Sequence, residues 1–299
     1  MMRLRRLSRF AGWALVALAL VYVGREAVLY RDALAAHRLP EGVVPMLAGL
    51  GFAYGLSLLL LAEQWHRIVG LLGAEPRART YPSYTMTLVA RYLPGNVFHL
   101  VGRAAWLRGG ALGDGALARA TLLELLFTPL GALLVLACLF PAFQLPGLPL
   151  TGIQLALGAA LTAAATLGAI LYALRGKRLS PAALLTPTLL ATLFMASLTA
   201  LFALLAATLA AAPALLAAAA ALAAWLIGYA TPGAPGGLGV REAVLVAMLS
   251  GAISTEAALL LALVFRGVTI VGDVVCFGLG WLCAAYFRQR RSAAASALL

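Results

Sequence analysis

Charge is scarce in this 299-residue chain: Asp, Glu, Lys and Arg together make up 11% of it, where a soluble domain carries about 25%. Acids are the scarcer sign, 10 against 22 basic residues. No polar stretch is long enough to build a separate soluble domain, which confines any chemistry to a membrane interior or to short loops. Cysteine is also rare. Cys138, Cys276 and Cys283 each sit inside an apolar run, without CxxC or Cys/His spacing. That pattern argues against a disulfide framework or a thiolate metal site and predicts small buried packing residues. The glycines at 233–239 lack a following Lys-Ser/Thr and a strand context, which argues against a nucleotide loop. Ser83 and Ser250 have no Ser/His/Asp companions in sequence. We assign no catalytic residue, no metal and no cofactor.

What the chain has is apolar length. Hydrophobic residues make up 64% of it, and a helix needs about 20 of them to cross the hydrocarbon core. Six segments qualify, at approximately 10–30, 43–62, 116–140, 150–173, 184–212 and 257–285. Two more are apolar but interrupted: 81–102 at Pro94-Gly95-Asn96, and 214–251 between Pro232 and Gly239. The expected fold is an all-α polytopic membrane protein. It is a single integral domain, 1–299, of about six transmembrane helices and two re-entrant or broken segments. Its halves run from about 1 to 140 and from about 150 to 299. The basic N-terminus before the first apolar run resembles a secretory signal. An uncleaved first span is the expectation, with cleavage near Ala33-Leu-Ala-Ala36 the alternative.

The net charge of +12 reads as topology rather than as a nucleic-acid footprint, because almost all of it is Arg beside apolar spans. Arg3, Arg5, Arg6 and Arg9 precede the first span. Arg67, Arg77 and Arg79 follow the second, and Arg103, Arg108 and Arg119 precede the third. Arg175, Lys177 and Arg178 follow the fourth, and Arg288, Arg290 and Arg291 the last. The stretches at 141–149 and around Pro213 carry no charge. Basic loops stay cytoplasmic. All these clusters fall inside if both termini are cytoplasmic, 81–102 enters and leaves from the cytoplasm, and 214–251 enters and leaves from outside. The expected setting is a bacterial cytoplasmic (inner) membrane.

The breaks themselves match. Pro94-Gly95 is followed by Arg103, and Pro232-Gly233 by Arg241, each nine residues after its proline, with Tyr92 and Tyr229 just before. Paired broken helices entering from opposite sides are the pattern of inverted-repeat transporters, whose binding site lies where the breaks meet. Irregular backbone at membrane depth survives only inside protein or along a water-filled cavity. Each ionisable group there costs roughly 2.5–3.5 kcal/mol on insertion scales, which makes it a functional candidate by default.

The stretches Arg91-Tyr-Leu-Pro-Gly-Asn-Val-Phe-His-Leu-Val-Gly-Arg103 and Pro235-Gly-Gly-Leu-Gly-Val-Arg-Glu242 resemble the two signatures of the lysylphosphatidylglycerol-synthase transmembrane family, also called flippase-like membrane proteins. The resemblance extends over nearly the whole chain, to Arg266 in the last span. Larger members fuse this membrane domain to a soluble aminoacyltransferase domain. The resemblance here implies a stand-alone member without that domain, and an activity of moving a lipid between leaflets rather than making lysyl-lipid. Some stand-alone members are associated with glycolipid or polyprenyl-linked sugar pathways.

The candidate substrate-binding residues are Arg91, Asn96, His99, Arg103, Glu124, Arg241, Glu242, Arg266 and Asp273. Arg presents five donors in a fixed fork and stays charged, which suits phosphate. The structural alternatives are snorkelling to an interface or pairing with a carboxylate. Thr121 and Thr128 flank Glu124 at i−3 and i+4, on one helix face, and Asp273 lies two turns beyond Arg266. These acids serve as static partners, as ion pairs that rearrange in transport, or as a proton relay. Asn96 is a candidate cap for the helix after the first break, and His99 is either a groove residue or a hydrogen-bonded core group. Gly51-Phe-Ala-Tyr-Gly55 is a GxxxG expected to mark close helix packing.

Two functions remain open. One is a lipid translocator for an anionic or glycosylated phospholipid or polyprenyl-linked lipid, with a glycosyltransferase or lipid-modifying enzyme as a possible partner. The other is a membrane enzyme or accessory subunit of a lipid-modification pathway, with Glu242 or Glu124 as base. A passive scaffold fits poorly with costly buried charge.

Overall fold

The structure, a computed structural model, describes residues 42–92, 97–139, 151–176, 180–231, 237 and 239–296. The expected first span at 10–30, the Pro94-Gly95-Asn96 break with its candidate cap, the 141–149 loop and Pro232 to Gly236 lie outside the described residues. Every described element is helical. In chain order they are α1 (Val43–Gly70), α2 (Arg77–Thr85), a 3₁₀ turn (Leu88–Tyr92), α3 (Phe98–Leu107), α4 (Asp114–Leu139), α5 (Gly152–Ala173), α6 (Pro181–Ala210), α7 (Ala214–Ala230), α8 (Val240–Leu249) and α9 (Thr255–Ser296).

Five of these helices, α1, α4, α5, α6 and the Thr255–Tyr286 part of α9, are long and apolar enough to cross a membrane. They coincide with the five expected spans that fall on described residues. Local chemistry sets their starts. Thr151 and Gln154 form a reciprocal capping box at the head of α5, which satisfies two otherwise orphaned donors. Pro181 opens α6 from Ser180, at the position where the missing proline N–H costs nothing. At 42 residues, α9 is about 63 Å long at 1.5 Å per residue, twice what the hydrocarbon core requires. Its basic C-terminal end therefore extends beyond a bilayer that holds its apolar part.

The helix directions follow from the contacts. A Cβ on Gly51 would sit 2.7 Å from Val271, and one on Gly55 would sit 2.8 Å from Gly272 O and from Val275. Advancing along α1 advances along α9, so the two run parallel in a seam where backbones touch. That is the packing expected of the GxxxG. Helix α6 runs against α1: Gln64 Nε2 donates to Pro187 O at 3.3 Å, while the Tyr54 and Phe194 rings lie 6.0 Å apart. Helix α4 runs with α6, placing Gly131 against Ala191 and Thr128, whose hydroxyl donates to Gln64 at 3.2 Å, one turn earlier.

Both interrupted segments fold into hairpins of short helices. In the second, α8 doubles back on α7, with Arg241 against Gly228. In the first, α2 and α3 pack together, with Gly102 close to Thr87, and a polar clasp ties their outer ends. Glu75 binds Arg79 at 3.1 Å and accepts from the Ala111 N–H at 2.5 Å. Arg79 donates to the Leu107 and Arg108 carbonyls at 3.0 and 3.2 Å, covering the orphan acceptors at the end of α3. Residues 75–79 and 107–111 are therefore neighbours.

Two expectations need correcting. The first interrupted segment spans Arg77 to Leu107 rather than 81–102. Arg77 and Arg79 read as loop, but they start a helix because Glu63 and Glu75 take their charge. Only Cys276 is buried, while Cys138 and Cys283 are exposed on the outside of the bundle, where a thiol on a lipid-facing helix costs little.

Candidate functional site

A cavity of about 320 Å³ lies where the two hairpins meet α1, α4, α6 and α9. Six of the nine candidates line it: Arg91, His99, Arg103, Glu124, Arg241 and Arg266. Asp273 stands directly behind Arg91. Glu242 faces a small neighbouring pocket that shares Trp225, Arg241, Arg266 and Thr269 with the cavity. Asn96 lies outside the described residues.

Each arginine arrives from a different element and each meets an aromatic ring. Arg91, in the 3₁₀ turn, pairs with Asp273 of α9 and donates to the Tyr54 hydroxyl at 3.5 Å. The other Asp273 oxygen accepts from the Tyr92 hydroxyl. One carboxylate thus ties the first hairpin to α9. Arg103 of α3, 2% exposed, pairs with Glu124 of α4, and its guanidinium lies 3.8 Å from the centre of the Tyr84 ring. This is a cation–π distance and places Arg103 inside the bundle rather than at an interface. Arg241 lies 5.7 Å from the centre of the Trp225 ring. Arg266 lies 5.4 Å from that of Tyr92, whose ring also carries Arg91 at 5.6 Å.

The glycines of the second break have a use here. A Cβ on Gly228 or on Gly237 would come within 2.6 Å of the Arg241 side chain. Gly237 also holds φ +75°, a backbone region that other residues rarely enter. Gly228 and Gly237 thus leave room for the arginine stem. Helix α3 begins at the same cavity: Val97, His99 and Leu100 line it. Among the described residues, neither Val97 before α3 nor Gly239 before α8 caps its helix with a side chain.

Polar atoms in this region remain unanswered. Arg103 Nε, Glu124 Oε2, His99 Nδ1, Arg241 Nε and Glu242 Oε2 are buried without a hydrogen-bond partner. Buried polar groups without partners cost about 1–3 kcal/mol each, so these atoms call for water or a ligand in the cavity. The charge balance gives its sign: four guanidinium groups stand against the carboxylates of Glu124, Asp273 and Glu242. No group of three or more His, Cys, Asp or Glu side chains is placed to hold a metal among the described residues.

The aromatic liners Tyr54, Tyr84, Phe194 and Trp225 were not singled out from sequence, because a ring on an apolar helix reads as core. Gln64 was missed for the same reason, as one amide in an apolar run. Trp225 and Tyr229 stack, 4.8 Å between centroids and 17° between planes, and Tyr229 is the residue whose place before the break did mark it. Comparisons with protein-family models, with curated proteins and with solved structures return no match.

Proposed function

We propose that this chain is a lipid translocator of the flippase-like kind. It moves an anionic or glycosylated phospholipid or polyprenyl-linked lipid across a bacterial cytoplasmic membrane, with the head group in the arginine cavity and the acyl chains in lipid. The observation that carries this reading is the convergence of Arg91, Arg103, Arg241 and Arg266 on one cavity inside a bundle of apolar helices. A phosphate is the ligand that four guanidinium forks with excess positive charge suit best. The N-termini of α3 and α8 at the same cavity add the positive ends of two helix dipoles.

The helix directions support a matching topology. Because α1 and α4 run oppositely, the α2–α3 hairpin lies between a helix arriving on one side and a helix leaving from it. Because α6 and α9 run oppositely, the α7–α8 hairpin does the same on the other side. In this reading both hairpins are re-entrant, opposed and related as an inverted repeat, with six full spans counting 10–30. A glycosyltransferase or lipid-modifying enzyme is the expected partner, supplying or consuming the transported lipid.

The test is lipid translocation in proteoliposomes. A fluorescent anionic phospholipid in the inner leaflet becomes accessible to a membrane-impermeant quencher at a rate set by the protein. Arg241→Ala and Arg266→Ala are expected to abolish that acceleration while eluting as folded, monodisperse protein. Wild-type rates in both variants would rule out the cavity as the path.

A further inference from the structure

The unanswered atoms of the cavity are of two kinds. Arg241 Nε is a donor. Glu124 Oε2 is an acceptor, on a residue only 7% exposed. Both residues line the same cavity. The other Glu124 oxygen is taken by Arg103, and Arg103 is fixed in turn beneath the Tyr84 ring. This carboxylate therefore cannot turn away to find another donor without breaking a buried ion pair. A bare phosphate would satisfy the arginines and leave Glu124 Oε2 unanswered, with two like charges sharing one cavity. The ligand that completes the site brings an anion and a donor together.

An ammonium and a hydroxyl are both donors, and the surrounding charge decides between them. Among the described residues, four arginines stand against the carboxylates of Glu124, Asp273 and Glu242, which leaves an excess of positive charge that disfavours a further cation but not a neutral hydroxyl. We infer that Glu124 reads a hydroxyl on the head group, and that the substrate class is a phosphodiester lipid whose head group is a polyol or sugar rather than an amine or an alkyl ester. The inference rests on the reading of the cavity as a lipid head-group site and narrows what enters it. The stacked Trp225–Tyr229 pair forms part of the cavity wall.

Three lipids with the same acyl chains test this: phosphatidylglycerol, phosphatidylpropanol, which has the phosphodiester but no head-group hydroxyl, and phosphatidylethanolamine. Retention by purified full-length protein, read by mass spectrometry, reports selectivity. Translocation in proteoliposomes reports transport. A hydrogen bond to a charged, buried acceptor corresponds to about tenfold or more in affinity. Wild type is expected to retain and move phosphatidylglycerol about tenfold better than phosphatidylpropanol, with phosphatidylethanolamine last. Glu124→Gln keeps an oxygen for Arg103 but replaces the charged acceptor with a neutral N–H₂, to which the hydroxyl can only accept, and should weaken that preference by removing the charge-assisted bond. Equal handling of the two anionic lipids by wild type would overturn the hydroxyl inference and leave translocation standing. Selective retention without movement would uphold the inference and remove the translocator reading. Neither retention nor movement of any of the three would remove both. The wild-type comparison decides the matter even if Glu124→Gln does not fold.

Discussion

Arg103 and Glu124 show at the level of single residues why this interior is costly and why it is kept. Removing two charges from water costs several kcal/mol per ion, and a buried pair repays that only with good geometry. Truncating one partner strands the other: Glu124→Ala leaves Arg103 charged at 2% exposure and is expected to destabilise the protein by about 3–5 kcal/mol. Replacing both, as Arg103→Met with Glu124→Leu, should be neutral or stabilising by up to about 4 kcal/mol. The double variant is expected to be folded and inactive. Thermal unfolding in detergent, run beside the translocation assay, separates the two effects, and wild-type transport by the double variant would make the pair purely structural. These residues were legible because a charge inside an apolar run has few structural explanations. Their ring partners were not, since Tyr54, Tyr84 and Trp225 look the same from sequence whether they pack against leucine or under a guanidinium.

At the scale of elements, the seam between α1 and α9 holds the cavity's back wall, because it fixes Tyr54 and Asp273 beside Arg91. Gly55 leaves no room for a side chain there: its Cβ would meet the Gly272 carbonyl at 2.8 Å, and backbone cannot move aside as a flexible side chain can. Gly55→Val is therefore expected to cost at least about 1–3 kcal/mol by overpacking and to weaken transport by parting the two helices. Gly158→Ala on α5 is the matched control. Nothing lies within 4 Å of its Cβ, and helix propensity alone should stabilise it by about 0.5–1 kcal/mol. Equal unfolding midpoints for the two variants would mean that the seam is not tightly packed. The GxxxG half of this seam was readable because both glycines lie on one short stretch. The Gly272 half was not, because nothing local distinguishes a glycine that meets another helix far along the chain. The interruptions at Pro94-Gly95 and Pro232-Gly233 were readable for the opposite reason: proline followed directly by glycine disfavours a helix through its own backbone chemistry, and the described helical elements end just before each, at Tyr92 and Ala230. The start of α2 was hidden because a helix that begins with Arg77 and Arg79 depends on Glu63 and Glu75, which are supplied from outside it.

At the scale of the molecule, arginine placement and helix direction are independent lines of argument, and both are consistent with the proposed topology. On the proposed topology, Arg67, Arg77 and Arg79 on either side of residues 71–76, and Arg175, Lys177 and Arg178 within 174–180, are expected on the cytoplasmic side. Parallel α1 and α9, with antiparallel α6, require that 42 and 254 share one side and 74 and 180 the other, whatever the charges are. The two lines are tested together by single cysteines in a background with Cys138, Cys276 and Cys283 replaced by alanine. Residues Ala74, Thr151, Ser180 and Ser254 are all exposed, so a cysteine there is accessible, at a cost of about 1 kcal/mol for the helix cap lost at Thr151 and at Ser254. An impermeant maleimide applied to the outer face of intact membranes is expected to label Thr151→Cys and Ser254→Cys, and to reach Ala74→Cys and Ser180→Cys only after the vesicles are inverted. The informative position is Ser254. If it labels with Ala74, the α7–α8 hairpin crosses the membrane rather than returning, the two breaks no longer approach from opposite sides, and the N-terminus of α8 loses its reason to meet that of α3. If it labels with Thr151, the anion site sits between two opposed hairpins. A head group entering from either leaflet then meets the same arginines, and that symmetry of access is what movement between leaflets requires.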